Sequence, residues 1–318
     1  MCKPFMMTLK PKVDITILGG TGFLGSHLIH FLSRDVNLNL TVLVHKDNKL
    51  CKQYPNVRFI KGDCFSKVSL SRAYTKNCIV INLTYFGLKS SLALDNISNM
   101  CIKFKSLKLL HVSTAIIDGS SSDNVITEDS LCYPKSSYEI AKYRSEFFLK
   151  EKLKDKTNLI ILRPTVIFGE NCKNLIQNLK FIKNRNIFLN YLKSCVFAEK
   201  KMNLVSVENV VSALIFLINS RSIKDQTFII SEDDDNLNNY RSIESLFLNK
   251  LNKKYFFSPV NLHPFFLRSL LFFIRKSSTN PNKIYSDSKL ALYGFKKPFV
   301  FYSSLNKFMD WVLSEGRI

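Results

Sequence analysis

The stretch that most constrains this chain is Val13 to Gly25, VDITILGGTGFLG. Val13, Ile15, Ile17 and Leu18 form an apolar, β-branched run, followed by glycine at 19, 20, 22 and 25. Phe23, Leu24, Leu28, Phe31 and Leu32 then recur at helical spacing. Strand, glycine turn and helix together make the layout that holds a dinucleotide pyrophosphate. Turn glycines let backbone approach the phosphates, and the helix start offers N–H groups and partial positive charge. Gly20, Gly22 and Gly25 satisfy GxGxxG, and the strand before and helix after supply its confirming context.

Further apolar runs follow: Leu40–Val44, Val57–Ile60, Ile79–Leu83, Leu107–Val112, Leu159–Leu162 and Gln226–Ser231. Helix-length spacers separate them through the first half of the chain, which predicts an α/β fold. The expected architecture is a doubly wound parallel sheet with a smaller C-terminal substrate-binding domain. Residues 1–169 are expected to form the dinucleotide-binding domain, with 204–231 returning to it. Residues 170–318 are expected to be mainly the substrate domain. Ligands of such a sheet lie at the carboxyl ends of its strands, where the glycine turn, His45 and Lys46, Asp63, Leu83, Thr114 and Arg163 fall. A basic residue after the second strand suits a 2′-phosphate, so His45 and Lys46 lean the cofactor toward NADP, with NAD the alternative and Asp47 one step further.

Net charge is +21, a field that attracts nucleotides, nucleotide-sugars or anionic lipid. No helix-turn-helix or RNA-binding signature is present, so no nucleic-acid partner is expected. The eight cysteines form no CxxC and no metal spacing, and no metal site is expected. The N-terminal residues show no signal-peptide pattern, and a cytoplasmic setting with reduced thiols follows. Phe265–Ile274, FFLRSLLFFI, is too short to span a bilayer and reads as a buried helix, with a membrane-interface role as the alternative.

Tyr138 and Lys142 stand one helical turn apart and share a face. An ammonium beside a phenol favours the phenolate. A tyrosine titrating near ~10 needs a shift of roughly three units, about 4 kcal/mol, to act as a base near neutrality.

With these motifs in order, the chain resembles the extended short-chain dehydrogenase/reductases, in particular their NAD(P)-dependent epimerase/dehydratase group acting on nucleotide-sugars. The family's GxxGxxG is met by Gly19, Gly22 and Gly25. Its Gly-Asp is Gly62-Asp63, its Ser/Thr is Thr114, and its YxxxK is Tyr138 and Lys142. Its RPxxVYG is matched by Arg163 to Gly169, and its closing DxSK by Asp287-Ser288-Lys289. The departures are Asn82-Leu83-Thr84-Tyr85 for HLAA, Ile117-Asp118-Gly119 for VYG, Ser66 for the second adenine-motif Asp, and Phe168-Gly169-Glu170 for YGP. The resemblance implies a catalytic trio of Thr114, Tyr138 and Lys142. The expected cofactor surface comprises Gly19, Gly22, Phe23, Leu24, Gly25, His45, Lys46, Asp63, Cys64, Leu83, Lys142 and Arg163. It implies transient hydride transfer on a nucleotide-sugar. A dehydratase adds Asp-Glu after the Thr; Ala115-Ile116 stand here, leaving an epimerase or a reductase. A non-catalytic, cofactor-binding scaffold of the same fold is the alternative. A homodimer is expected through two helices, about 92–105 and 137–152, offering Leu92, Asn96, Asn99, Met100 and Lys103 on one and Tyr143, Phe147 and Phe148 on the other.

Overall fold

A computed structural model describes residues 12–46, 49–118, 121, 123–197, 200–257, 259, 280 and 282–318. Asp47, Gly119 and the Phe265–Ile274 segment lie outside the described residues.

In chain order, the strands are β1 (Val13–Leu18), β2 (Leu38–Val44), β3 (Arg58–Lys61), β4 (Ile79–Asn82), β5 (Lys108–Val112), β6 (Val125–Ile126), β7 (Asn158–Pro164), β8 (Val166–Phe168), β9 (Leu204–Ser206), β10 (Thr227–Ile230) and β11 (Ile284–Tyr285). The helices are α1 (Phe23–Leu32), α2 (Leu50–Gln53), α3 (Lys67–Ala73), α4 (Ser90–Lys103), α5 (Ser137–Leu153), α6 (Lys173–Asn184), α7 (Ile187–Phe197), α8 (Val207–Asn219), α9 (Tyr240–Lys250), α10 (Ser288–Leu292) and α11 (Phe301–Ser314).

Seven strands form one sheet in the order β10-β7-β5-β4-β1-β2-β3. Its described pairs are parallel, with Ile17 opposite both Val42 and Ile81. The chain runs outward from β1 in one direction to β3, then returns to start β4 on the other side. That reversal beside β1 is the switch point at which α/β sheets bind ligands. β4 and β5 are buried along their whole length, as the central strands of a sheet covered on both faces must be. On one face Leu18, Val80, Leu109 and Ile161 pack with Leu70 of α3, Ala93, Leu94 and Ile97 of α4, and Leu149 and Leu153 of α5. The fold is the doubly wound α/β class expected from the strand–helix alternation.

The chain forms two compact units. The first holds the residues up to 114 with 137–163 and 211–228; the second holds 115–136, 164–210 and 229–318. The second unit contains two short parallel pairs, β8 with β9 and β6 with β11. Phe168 anchors its core edge-on to Phe301 and Phe308, with ring centroids 5.6 and 6.0 Å away. The acidic, Asn-rich run at 232–239 is a loop, and its Glu232, Asp233 and Asn238 are buried. Glu232 accepts from the Ser206 N–H and the Asn209 amide, at 2.6 and 2.7 Å. Asp233 accepts from Asn203 and from the Tyr285 N–H, at 2.6 and 2.9 Å. Burial pushes both acids up, Glu232 to about 7 and Asp233 to about 6.

Candidate dinucleotide and active site

β1 ends in a turn whose shape depends on glycine at two points. Gly19 has φ of +81°, and a Cβ there would sit 3.1 Å from the Leu83 carbonyl carbon. Gly25 lies inside α1 so close to the turn that its Cβ would be 2.6 Å from the Gly19 carbonyl oxygen and Gly20 backbone. The first turn of α1 therefore rests directly on the glycine loop. Gly22 is the N-cap; it makes no side-chain cap bond, and no acid stands in the first turn. Helix-start N–H groups without a side-chain acceptor, at the carboxyl end of a central strand, fit a diphosphate. Gly19, Gly22, Phe23, Leu24, Gly25 and Leu83 meet here, with Leu24 buried and the Phe23 ring edge-on to His27 at 5.4 Å.

Past β2, His45 Nδ1 lies 3.7 Å from the Asp63 carboxylate, and Lys46 beside it is exposed. Asp63 Oδ1 accepts the Phe65 N–H at 3.0 Å, which fixes the turn after β3. Cys64 is buried, and burial with the nearby Asp63 charge pushes its thiol up to about 12. Its carbonyl accepts from the Asn96 amide at 3.2 Å, so Cys64 can offer a dinucleotide only backbone and an inert thiol.

Thr114, Tyr138 and Lys142 come together at the carboxyl end of β5 and the first turns of α5. The Thr114 hydroxyl stands beside the Tyr138 phenol and favours its ionised form, but burial outweighs it and the phenol lies above its ordinary value. The Lys142 ammonium donates to the Val112 carbonyl at 2.9 Å and lies over the Tyr85 ring, 5.6 Å from its centroid. Burial brings Lys142 down to about 8, with the Glu146 charge pulling the other way. The Lys142 charge alone does not offset the burial of the phenol. The ammonium's neighbours are a carbonyl and a π-face, and Tyr138 meets Tyr85 edge-on at 5.0 Å.

Arg163 is buried, and its guanidinium grips Glu146 through Nε at 3.0 and 3.2 Å and Nη2 at 2.6 Å. Glu146 stands one helical turn past Lys142. The pair ties the end of β7 to the helix that carries Tyr138 and Lys142.

The structure also gives a physical reason for one departure from the family pattern. Asn82 and His111 are register partners at the ends of β4 and β5. Asn82 Oδ1 accepts both the N–H and the hydroxyl of Thr84, at 3.0 and 2.6 Å. Its amide nitrogen therefore donates to His111 Nδ1, 3.1 Å away. Burial and the Lys142 charge push His111 down to about 3, so the ring is neutral with its proton on Nε2. Asn82, where the family pattern has histidine, is thus buried and committed to Thr84 and to His111 from the next strand. Sequence reasoning missed His111 and Glu146. The signal for the first was a histidine inside an otherwise apolar strand, beside a strand end that lacked one.

The doubly wound sheet with a glycine turn after its first strand defines a Rossmann-type α/β protein. Residues 15–230 match the model of the NAD dependent epimerase/dehydratase family, and the chain belongs to that family, within the extended short-chain dehydrogenase/reductases. It is similar to UDP-glucose 4-epimerase of Vibrio cholerae, 22% identical over 248 residues, 71% of this chain and 72% of that one. It is also similar to a decarboxylating sterol-4-alpha-carboxylate 3-dehydrogenase of Candida albicans, 27% identical over 189 residues, 52% of this chain and 54% of that one. Among solved structures, dTDP-glucose 4,6-dehydratase from Bacillus anthracis, in complex with NAD, superposes with a TM-score of 0.71. It is 15% identical, with 95% of this chain and 97% of that chain covered, and shows the shared fold.

Proposed function

We propose that this chain interconverts a secondary hydroxyl and the corresponding ketone of a nucleotide-sugar by hydride transfer, as an NAD(P)-dependent epimerase or reductase. The observation that carries the proposal is the meeting of Tyr138 and Lys142, one turn apart on α5, at the end of the strand that leads into Thr114, with the Lys142 ammonium on the Val112 carbonyl at 2.9 Å. A relative named as a UDP-glucose 4-epimerase supports the substrate class. The dinucleotide, when bound, supplies the hydride acceptor. Gly19, Gly22, Gly25 and the start of α1 hold its diphosphate, and Asp63 and Leu83 border its adenine half. The Tyr138 oxygen takes the proton of the substrate hydroxyl, and Thr114 holds that hydroxyl by a hydrogen bond. Lys142 releases Tyr85 and Val112 to reach the ribose. Its ammonium, together with the cofactor's positive ring, lowers the phenol from its raised value. Arg163 acts through Glu146 by fixing α5.

Tyr138→Phe keeps the ring and removes the oxygen. Turnover is expected to fall by roughly 10²–10⁴, with cofactor affinity nearly unchanged. Steady-state assay of wild type and variant on UDP- and dTDP-sugars checks this, and equal activity overturns the role. Tyr85, lodged against both Tyr138 and Lys142, favours a second reading as a cofactor-holding scaffold without turnover. In that case the wild type binds dinucleotide and neither protein turns over.

Exposed Lys46 supports acceptance of a 2′-phosphate, whereas the Asp63 carboxylate beside His45 supports NAD. Lys46→Asp is expected to weaken NADP(H) and spare NAD(H), read as the ratio of the two dissociation constants. An unchanged ratio makes Lys46 a surface residue. A homodimer through α4 and α5 is supported by exposed Leu92, Tyr143 and Phe147. Asn96 and Met100, by contrast, are buried, and Phe148 packs on the chain's own core, so these three belong to the fold.

A further inference from the structure

Helix α7, IFLNYLKSCVF, is turned inside out. Its buried residues are Asn190 and Ser194, while Phe188, Leu189 and Leu192 are exposed, Phe188 at 62%. The inward Asn190 amide donates to the Ile182 carbonyl at 2.7 Å, which closes the end of α6. The outward apolar face is therefore fixed by what the polar face must do. Phe181, near the end of α6, is exposed as well. So are Phe256 and Phe257, at 95% and 78%, the last residues of the run Lys253-Lys254-Tyr255-Phe256-Phe257. This run lies against the same helices: the Lys253 ammonium donates to the Lys183 carbonyl at 3.1 Å, and the Tyr255 ring meets Tyr191 at 5.6 Å.

Charge selects the occupant. Residues 173–201 carry seven Lys or Arg against one acid, Glu199. Exposed Lys173, Lys180 and Arg185 flank the apolar residues on α6 and its turn, and exposed Lys253 and Lys254 precede the two phenylalanines. A second copy of this chain would bring the same basic rim against itself. Aromatic and leucine side chains rimmed by lysine suit the headgroup boundary of an anionic bilayer.

We propose that the exposed face of α7, with Phe256 and Phe257, docks on the surface of an anionic membrane. The docking is peripheral, since no helix among the described residues is long and apolar enough to cross a membrane. It stands independently of the catalytic reading.

Sedimentation of the full chain with vesicles tests it, using phosphatidylcholine alone or with a third phosphatidylglycerol, at physiological salt. Wild type is expected to pellet with the anionic vesicles and not with phosphatidylcholine alone. Phe188→Ser with Leu192→Ser, and separately Phe256→Ser with Phe257→Ser, are expected to weaken binding by about tenfold. Val36→Ser, an exposed apolar site in the other unit, is expected to leave it unchanged. All five serines replace exposed side chains, and an unchanged circular dichroism spectrum is expected. Wild type that stays in the supernatant overturns the proposal. So do double variants that bind as wild type does, which would assign the binding to net charge alone. Light scattering without lipid that shows a dimer dispersed by the Phe188/Leu192 pair gives the face to a second copy and also overturns it.

Discussion

Lys142 carries the pH dependence of the site. Burial lowers it to about 8, so the folded protein loses this charge well before a solvated lysine would. Below about 8 the ammonium is intact and can reach a ribose; above it one donor and the charge are lost. Affinity for NAD(H) is therefore expected to fall as pH rises through about 8. Fluorescence titration with NADH across that range reads it, and Lys142→Met is expected to bind weakly with no step. A flat profile in wild type contradicts this role. Tyr138, Lys142 and Thr114 were legible because helix spacing and a strand end bring them together whatever the rest of the chain does. The Asn82–His111 pair was not, because cross-strand register decides which residues separated by 29 positions become neighbours. The raised Tyr138 phenol was also out of reach of sequence, since it reflects burial and the Tyr85 ring.

At the scale of elements, α8 ends with no basic residue of its own in the last turn. Lys108 on β5 supplies one. Its ammonium donates to the carbonyls of Leu217, Ile218 and Ser220 at 2.8, 3.2 and 2.6 Å. These are helix-end acceptors that the helix itself cannot satisfy. Lys108→Met keeps the stem and strands these carbonyls, an expected loss of about 1–3 kcal/mol. Denaturant unfolding measures it, and a midpoint equal to wild type contradicts the cap. Strands β1, β2, β4, β5 and β7 were readable as near-continuous apolar runs, the mark of strands buried on both faces. The hairpin of α6 and α7 was not. A helix that buries Asn190 and Ser194 and exposes phenylalanine reverses the pattern on which sequence reading depends. Phe147 and Phe148 show the same limit. Adjacent positions on a helix point about 100° apart. Phe148 faces the sheet and Phe147, 64% exposed, faces away, and the spacing alone does not say which.

At the scale of the whole molecule, the proposed homodimer rests on Leu92, Tyr143 and Phe147. Light scattering on wild type is expected to give twice the chain mass of 36.7 kDa. Phe147→Glu is expected to shift it toward monomer without loss of folded stability, since that side chain lies outside the core. A wild-type monomer at tens of micromolar rules the dimer out.

The central claim is that the glycine turn of β1 and α1 holds a nicotinamide dinucleotide, and Gly22 offers its most direct test. The Gly22 backbone, at φ −75° and ψ 177°, is in a region open to any residue, and an added Cβ would stand 3.3 Å from the Gly19 carbonyl oxygen, a tight contact that the turn must yield slightly to admit. An aspartate there would cap α1 with its own carboxylate, which favours the helix. The same carboxylate would stand where a diphosphate must lie. The measurement is a titration of NAD(H) into wild type and Gly22→Asp, with a melting curve of each. The predicted result is binding by wild type, binding lost in Gly22→Asp, and a melting temperature in the variant close to that of wild type, the cap offsetting the tight contact with Gly19. Equal binding by both proteins, or no binding by wild type at millimolar dinucleotide, would contradict the claim.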